Sequence, residues 1–177
     1  MKQFFFLVLL DIFLMSSTYA KSTVSVKEVI KSSFSHVSKI EPKSLILSNI
    51  QFKQIRTMAK AAVDTKVYRY YKILSDDKKL GIAILITRKV RSKKATVLYA
   101  FDDKGTLRFS EIMAFGEPPE FIPNRIWMSQ LQNQKLTAKL TVGKDIPTIS
   151  GATLSARSIT QSARVARAIY EIVLKHK

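Results

Sequence analysis

The sequence predicts an α+β fold in which helices precede and follow a small antiparallel sheet. Between residues 66 and 115, four segments rich in β-forming residues are separated by short turns, a pattern typical of strands that pair with their sequence neighbours. On both sides of this region, apolar residues recur at the spacing that places them on one face of a helix. Helices and a sheet that share one core in this way form packed layers.

Length, net charge and cysteine content limit the classes of function that this chain can have. The 177 residues suffice for one domain with a real core. A formal net charge of +17 favours anionic partners but does not choose among them. The absence of cysteine excludes disulfides, thiolate metal sites and cysteine nucleophiles. The two histidines have no partner nearby in the sequence, so we assign no catalytic residue and no metal ligand.

Residues 1–20 have the pattern of a secretory signal peptide. A short basic start precedes the apolar run Phe4–Met15, and the small residues Thr18 and Ala20 suit signal peptidase. Asp11 interrupts the apolar run, so an uncleaved anchor is the alternative. The pattern predicts an exported, periplasmic protein, with membrane association as a further prediction.

Residues 21–65 are predicted to form an N-terminal helical segment that leads into a domain of residues 66–177. Pro42 separates a first helical piece from a second helix, Ser44–Ala62, in which apolar residues recur at helical spacing. The polar face of this second helix is basic. Such a helix could lie on a membrane surface, but packing against its own domain is the more usual role.

The predicted sheet has strands separated by polar turns. The second strand is almost continuously apolar, as expected for a strand buried on both faces. The turn Asp102–Gly105 ends in a glycine where a hairpin needs positive φ. The four predicted strands are Val67–Leu74, Leu80–Val90, Ala95–Phe101 and Thr106–Phe115.

The segment Tyr68–Lys72 interleaves tyrosines with basic residues, as a stacking platform for nucleic acid would. A strand with one buried face produces the same string. An exported protein also rarely meets nucleic acid, so we predict no nucleic-acid partner.

A Pro-rich loop, Gly116–Glu120, breaks the chain after the sheet. A short helix, Arg125–Gln132, follows with Asn124 as its cap, and the motif Ile149–Ser155 then leads into a final helix, Ala156–Lys175. Glycine beside hydroxyl residues at a helix start allows an anion to sit on free N–H groups. The alternative is an ordinary N-cap, in which Ser150 or Thr153 accepts a backbone hydrogen bond.

The order of these features resembles the FMN-binding domain family over roughly residues 80–175. The resemblance is carried by the Asp102–Gly105 turn, the Glu117-Pro118 loop, an aromatic-containing helix and the Ser-Gly-Ala-Thr string Ser150–Thr153. The family includes the periplasmic, flavinylated C subunit of the sodium-translocating quinone reductase and the G subunit of the Rnf complex. The resemblance implies an exported FMN-binding electron carrier, and favours an electron-transfer flavoprotein over a stand-alone enzyme.

The resemblance also implies how FMN would be held. It implies a phosphoester to Thr153, made by a separate flavin transferase that uses FAD and a divalent metal. Arg157 could pair with phosphate oxygens. Phe115, Phe121 and Trp127 are candidate contacts for the flavin ring, although core packing explains each of them better. The cofactor-binding residues implied are Ser150, Gly151, Ala152, Thr153, Leu154, Ser155, Arg157 and Glu117.

One position differs from the family pattern. Where the family usually has Asp, three residues before the Ser, this chain has Pro147, and the nearest acid is Asp145. Covalent and reversible FMN binding therefore both stay open. The alternative function is a non-catalytic basic protein that holds FMN reversibly, or docks on an anionic membrane or an acidic redox partner. The predicted partners are the transferase, redox proteins such as an acidic cytochrome or a membrane complex, and a membrane surface.

Overall fold

The computed structural model describes residues 25–177. The predicted signal peptide lies outside the described residues. None of the helices in residues 25–177 is long and apolar enough to span a membrane. The helices and strands are α1 (Val26–Ser33), β1 (Lys39–Ile46), α2 (Asn49–Ala59), β2 (Val67–Ser75), β3 (Lys78–Lys89), β4 (Lys94–Asp102), β5 (Leu107–Phe115), a 3-10 turn (Pro119–Phe121), α3 (Arg125–Ser129), α4 (Thr153–Ile169) and a π-helical turn (Tyr170–Leu174).

The five strands form one antiparallel sheet in sequence order, β1-β2-β3-β4-β5. Its centre is set by apolar cross-strand pairs. Ile84 in β3 lies opposite Tyr70 of β2 on one side and opposite Tyr99 of β4 on the other. The predicted α+β architecture is confirmed, with helices before and after the sheet and all four predicted strands present.

The first strand lies where the sequence predicted helix. Residues 39–46 pair with β2, so the predicted helix Ser44–Ala62 is wrong in its first turn and begins only at Asn49. Leu45 and Leu47 are buried while Ile46 between them is exposed, which is the period of a strand. The helix start is instead a capping box, in which Ser48 and Gln51 bond each other's backbone N–H groups. Pro42 is tolerated because β1 is an edge strand.

Helices cover both faces of the sheet, and each face has its own apolar core. On one face α2 and α4 pack against the central strands, and Ile55, Tyr99 and Ile159 are fully buried there. On the other face α1 inserts Ile30 against β2, β4 and β5. Strand β3 is buried on both faces, as its apolar run predicted. This arrangement fixes α4 against the sheet with its N-terminus at the end where β3 turns into β4.

The C-terminal end of α4 is tied to the β4–β5 turn. The Tyr170 hydroxyl donates to the carbonyl oxygens of Asp102 and Asp103, both at 3.1 Å, and its ring stacks on Phe101 with centroids 5.1 Å apart. Gly105 ends the turn with φ +85°, the positive φ expected at this position. Near the other end of the helix, the Ser158 hydroxyl donates to the carbonyl of Lys89 at 3.0 Å, so α4 is anchored to the sheet at both ends.

Candidate functional site

The Ser-Gly-Ala-Thr motif forms a tight turn that starts α4. The N–H of Ala152 donates to the carbonyl of Ile149 at 3.1 Å, and Gly151 between them has φ +75°. A Cβ atom placed on Gly151 would meet no atom within 4 Å. The left-handed backbone conformation therefore favours glycine at this position, and the space beside it is open.

Helix α4 begins without a side-chain cap. Its first residue is Thr153, three positions earlier than predicted, and the N-cap residue is Ala152. The Thr153 hydroxyl donates to the Ile149 carbonyl at 3.4 Å rather than accepting from the helix. The interpretation of Ser150 or Thr153 as an ordinary N-cap is therefore wrong.

Three backbone donors stay free as a result. The first intrahelical bond runs from the N–H of Ala156 to the carbonyl of Ala152. Within the described residues, the N–H groups of Thr153, Leu154 and Ser155 have no acceptor. They lie at the positive end of a 17-residue helix, where an anion is stabilised.

These donors border a cleft of about 190 Å³. Its second wall is the turn between β3 and β4, and its third is the loop that follows β5. Most of the lining is apolar or small, and Ser155 at its base is almost completely buried, at 1% exposed. The lining residues are Val90, Arg91, Glu117, Phe121 and the motif residues Gly151, Ala152, Thr153, Leu154 and Ser155.

Glu117 holds the two outer walls together. The residue is 7% exposed, and its Oε2 accepts from the Ser92 hydroxyl at 3.2 Å. Its pKa is lowered to about 2, first by the N–H of Lys93 and then by the other two N–H groups, against the opposing effect of burial. Its Oε1 accepts three successive backbone N–H groups, at 2.9, 2.6 and 2.7 Å, from Arg91, Ser92 and Lys93.

The carboxylate of Glu117 is thus occupied by the backbone of the turn. A side chain held in this way positions the cleft wall, and its charge is balanced by the N–H groups that surround it. Lys93 and Lys94 carry exposed ammonium groups on the same turn. Among residues 25–177 the only ion pairs join Glu41 to Lys39 and to Lys43, so the basic residues around the cleft are unpaired. The cleft is therefore electrostatically suited to an anion.

The structure brings together most of the residues implied by the resemblance. Six of them line the cleft: Glu117, Gly151, Ala152, Thr153, Leu154 and Ser155. Ser150 is exposed in the preceding turn and is not part of the lining. Arg157 lies one turn further along α4, beside a neighbouring cleft that it shares with Thr160 and Arg164.

Of the three aromatic residues considered as contacts for the flavin ring, only one lies at the cleft. Phe121 lines the cleft. Phe115 is buried beside a different groove along β5. Trp127 is buried in the main core, where its Nε1 donates to the carbonyl of Pro147 at 2.8 Å. The neighbouring Asp145 accepts the N–H of Thr141 at 3.0 Å and so closes the short turn before the motif.

Sequence reasoning missed Val90 and Arg91. The sequence predicted strand at Val90 and a polar turn from Arg91 onward, and neither pattern indicates a ligand site. They reach the cleft because β4 and β5 pair and carry Glu117 back to the turn. No local signal in the sequence could have identified them.

Residues 91–168 match the model of the FMN-binding domain. This range contains every residue that lines the cleft except Val90. Among solved structures, the crystal structure of NqrC from Shewanella oneidensis aligns with a TM-score of 0.57 over 78% of this chain and 84% of that chain, at 14% sequence identity. At that identity the likeness concerns the fold. No curated protein matches the chain with significance.

Proposed function

We propose that the chain is an exported flavoprotein that carries electrons with an FMN held in the cleft, because residues 91–168 match the model of the FMN-binding domain. The observation that carries this proposal is the set of three free N–H groups at the start of α4, which border a cleft inside the matched range. A bound FMN supplies one-electron and two-electron chemistry, and the protein binds, orients and tunes it.

The residues of the cleft fit the two halves of FMN. A phosphate matches the free N–H groups of Thr153, Leu154 and Ser155, because the helix dipole and the donors act in the same direction. Gly151 adds no side chain to the space beside them. The apolar walls, which include Val90 and Phe121, suit an aromatic ring.

We assign Thr153 as the covalent attachment point. Its hydroxyl lines the cleft, is only partly buried, and is engaged solely in a long bond to Ile149. In the reaction the Thr153 oxygen bonds to the FMN-side phosphorus of FAD, while the pyrophosphate P–O bond breaks. AMP leaves with the electron pair, and the hydroxyl proton passes to a base of the transferase. A separate flavin transferase with a divalent metal is the proposed partner for this step.

The experiment is co-expression of the mature chain with a flavin transferase, followed by intact-mass measurement and fluorescence on a denaturing gel. The wild type is expected to gain the mass of one FMN residue and to fluoresce on the gel. Thr153→Ala is expected to lose both signals. Ser150→Ala is the matched control, because Ser150 carries a hydroxyl in the same turn but outside the cleft.

Each outcome decides a separate part of the proposal. Fluorescence retained by Thr153→Ala would refute the attachment point. A wild type that is yellow when native and colourless after denaturation would replace covalent attachment by reversible binding. A wild type that never takes up flavin, with or without the transferase, would refute the cofactor itself.

A further inference from the structure

The exposed apolar side chains of the molecule are concentrated at one end. Seven large apolar residues of the described chain are exposed, and six of them lie at or just beyond the strand ends on the side of the sheet where the cleft is found. The exception is Met58, which lies about 12 Å further along α2 than Ile50. The six are Ile46, Ile50, Val67, Ile122, Ile126 and Leu154. We call this surface the cleft end.

Strand register places these residues together. Ile46 at the end of β1 lies opposite Val67 at the start of β2, and Lys89 at the end of β3 lies opposite Lys94 at the start of β4. Because neighbouring strands are antiparallel, these strand termini and the C-terminal end of β5 all lie at the same end of the sheet. The other four exposed residues belong to segments next to this end of the sheet. These segments are the first turns of α2 and α4 and the chain that follows β5.

The cleft end is also basic. The β3–β4 turn carries four exposed basic side chains, and none of them forms an ion pair within the described residues. The carboxylate of Glu117 is occupied by the backbone of that turn, which leaves Asp64 and Glu120 as the exposed acids nearby. The four basic residues are Lys89, Arg91, Lys93 and Lys94.

We propose that the cleft end docks on an anionic lipid surface. Exposed aliphatic side chains surrounded by unpaired lysine and arginine are the composition of interfacial membrane-binding surfaces. Protein–protein interfaces are instead depleted in lysine, whereas the β3–β4 turn carries Lys89, Lys93 and Lys94. The charge of the β3–β4 turn complements the phosphates of acidic lipids, and Ile46 leaves 74% of its surface exposed for insertion.

This inference goes beyond the proposed flavin function and does not depend on it. The apolar and basic side chains of the cleft end are present whether or not FMN is bound. With FMN in place, docking by this end would bring the cleft to the bilayer. The electron partner would then lie at the membrane.

The test is co-sedimentation of the mature chain with phosphatidylcholine vesicles, with and without phosphatidylglycerol. We expect binding only to the anionic vesicles, weakening as salt is raised. Lys89→Gln and Lys94→Gln are each expected to weaken binding about 5-fold. Ile46→Ser is expected to weaken it about tenfold, because an inserted aliphatic group is lost.

Two matched controls keep the result specific. Met58→Ser removes an exposed apolar side chain outside the cleft end, and Lys27→Gln removes an exposed charge on α1. Both are expected to bind like the wild type. The proposal is overturned if anionic vesicles are not bound, if both controls lose as much affinity as the cleft-end variants, or if a soluble acidic protein is bound and vesicles are not. Vesicle binding by flavin-free protein separates this result from a failure of the FMN proposal.

Discussion

Replacing Gly151 by alanine separates the backbone role of this residue from its role in the cleft. With φ at +75°, an alanine incurs the left-handed penalty of about 1–2 kcal/mol. Alanine also restricts the unfolded chain, which returns about 0.4–1 kcal/mol. Since the new methyl group meets no atom within 4 Å, no steric term is added. The net loss of stability is about 1 kcal/mol, or roughly 2–4 °C in Tm for a chain of this size.

Gly143→Ala is the matched control, because Gly143 has φ +83° and a Cβ placed there would meet only the Thr148 Cγ2 atom, at 4.0 Å. Thermal denaturation is expected to show similar losses for both variants. Flavin incorporation, measured by fluorescence after co-expression with a transferase, is expected to fall only for Gly151→Ala, whose methyl group projects beside the cleft. Equal incorporation in the two variants would refute the placement of FMN beside Gly151. An unchanged Tm would refute the backbone argument.

Two further predictions concern the turns that anchor α4 and the cleft wall. The Glu117 pKa is lowered from 4.5 to about 2, so its stabilisation is complete above pH 4.5 and is lost as the pH falls towards 2. In thermal melts, Glu117→Gln should therefore be less stable than wild type at pH 7 and equally stable near pH 2. The exposed Glu120→Gln should follow wild type at both pH values. A difference in Tm between Glu117→Gln and wild type that does not change with pH would contradict this. Tyr170→Phe removes the hydrogen bonds to Asp102 and Asp103 but keeps the stacked ring, so urea denaturation should show a loss of about 1–2 kcal/mol, and no loss would mean that water replaces both bonds.

The sheet was predictable from sequence because its core strands have strong, regular patterns. Leu80–Val90 is apolar almost throughout, and the turns on either side of it are polar, so both the strand and its neighbours were identified. Strand β1 was not, because Leu45, Ile46 and Ile50 also fit one face of a helix. Pairing with β2 is what makes this segment a strand rather than a helix, and a local sequence pattern does not reveal that pairing. Only the capping box at Ser48 marked where the helix begins.

The site was predictable where it is local in sequence. The motif residues from Gly151 to Ser155 are contiguous, so their placement around one cleft follows from a single turn and helix start. The contribution of Val90 depends on β3 ending beside that helix, which is a tertiary relationship. The sequence also did not predict that α4 starts at Ala152 without a side-chain cap. Nearby hydroxyl residues indicate a cap, and only the structure shows that the Thr153 hydroxyl donates to Ile149 instead.

Trp127 gives this protein an internal optical reporter. It is the single tryptophan of the chain, it is buried, and its indole N–H is bonded to Pro147, four residues before Gly151. Indole emission overlaps flavin absorption, so an FMN in the cleft would quench Trp127 by energy transfer. Loading could then be followed in real time on the unlabelled protein. The same emission, shifting as the indole meets water, would report unfolding of the chain that leads into the motif.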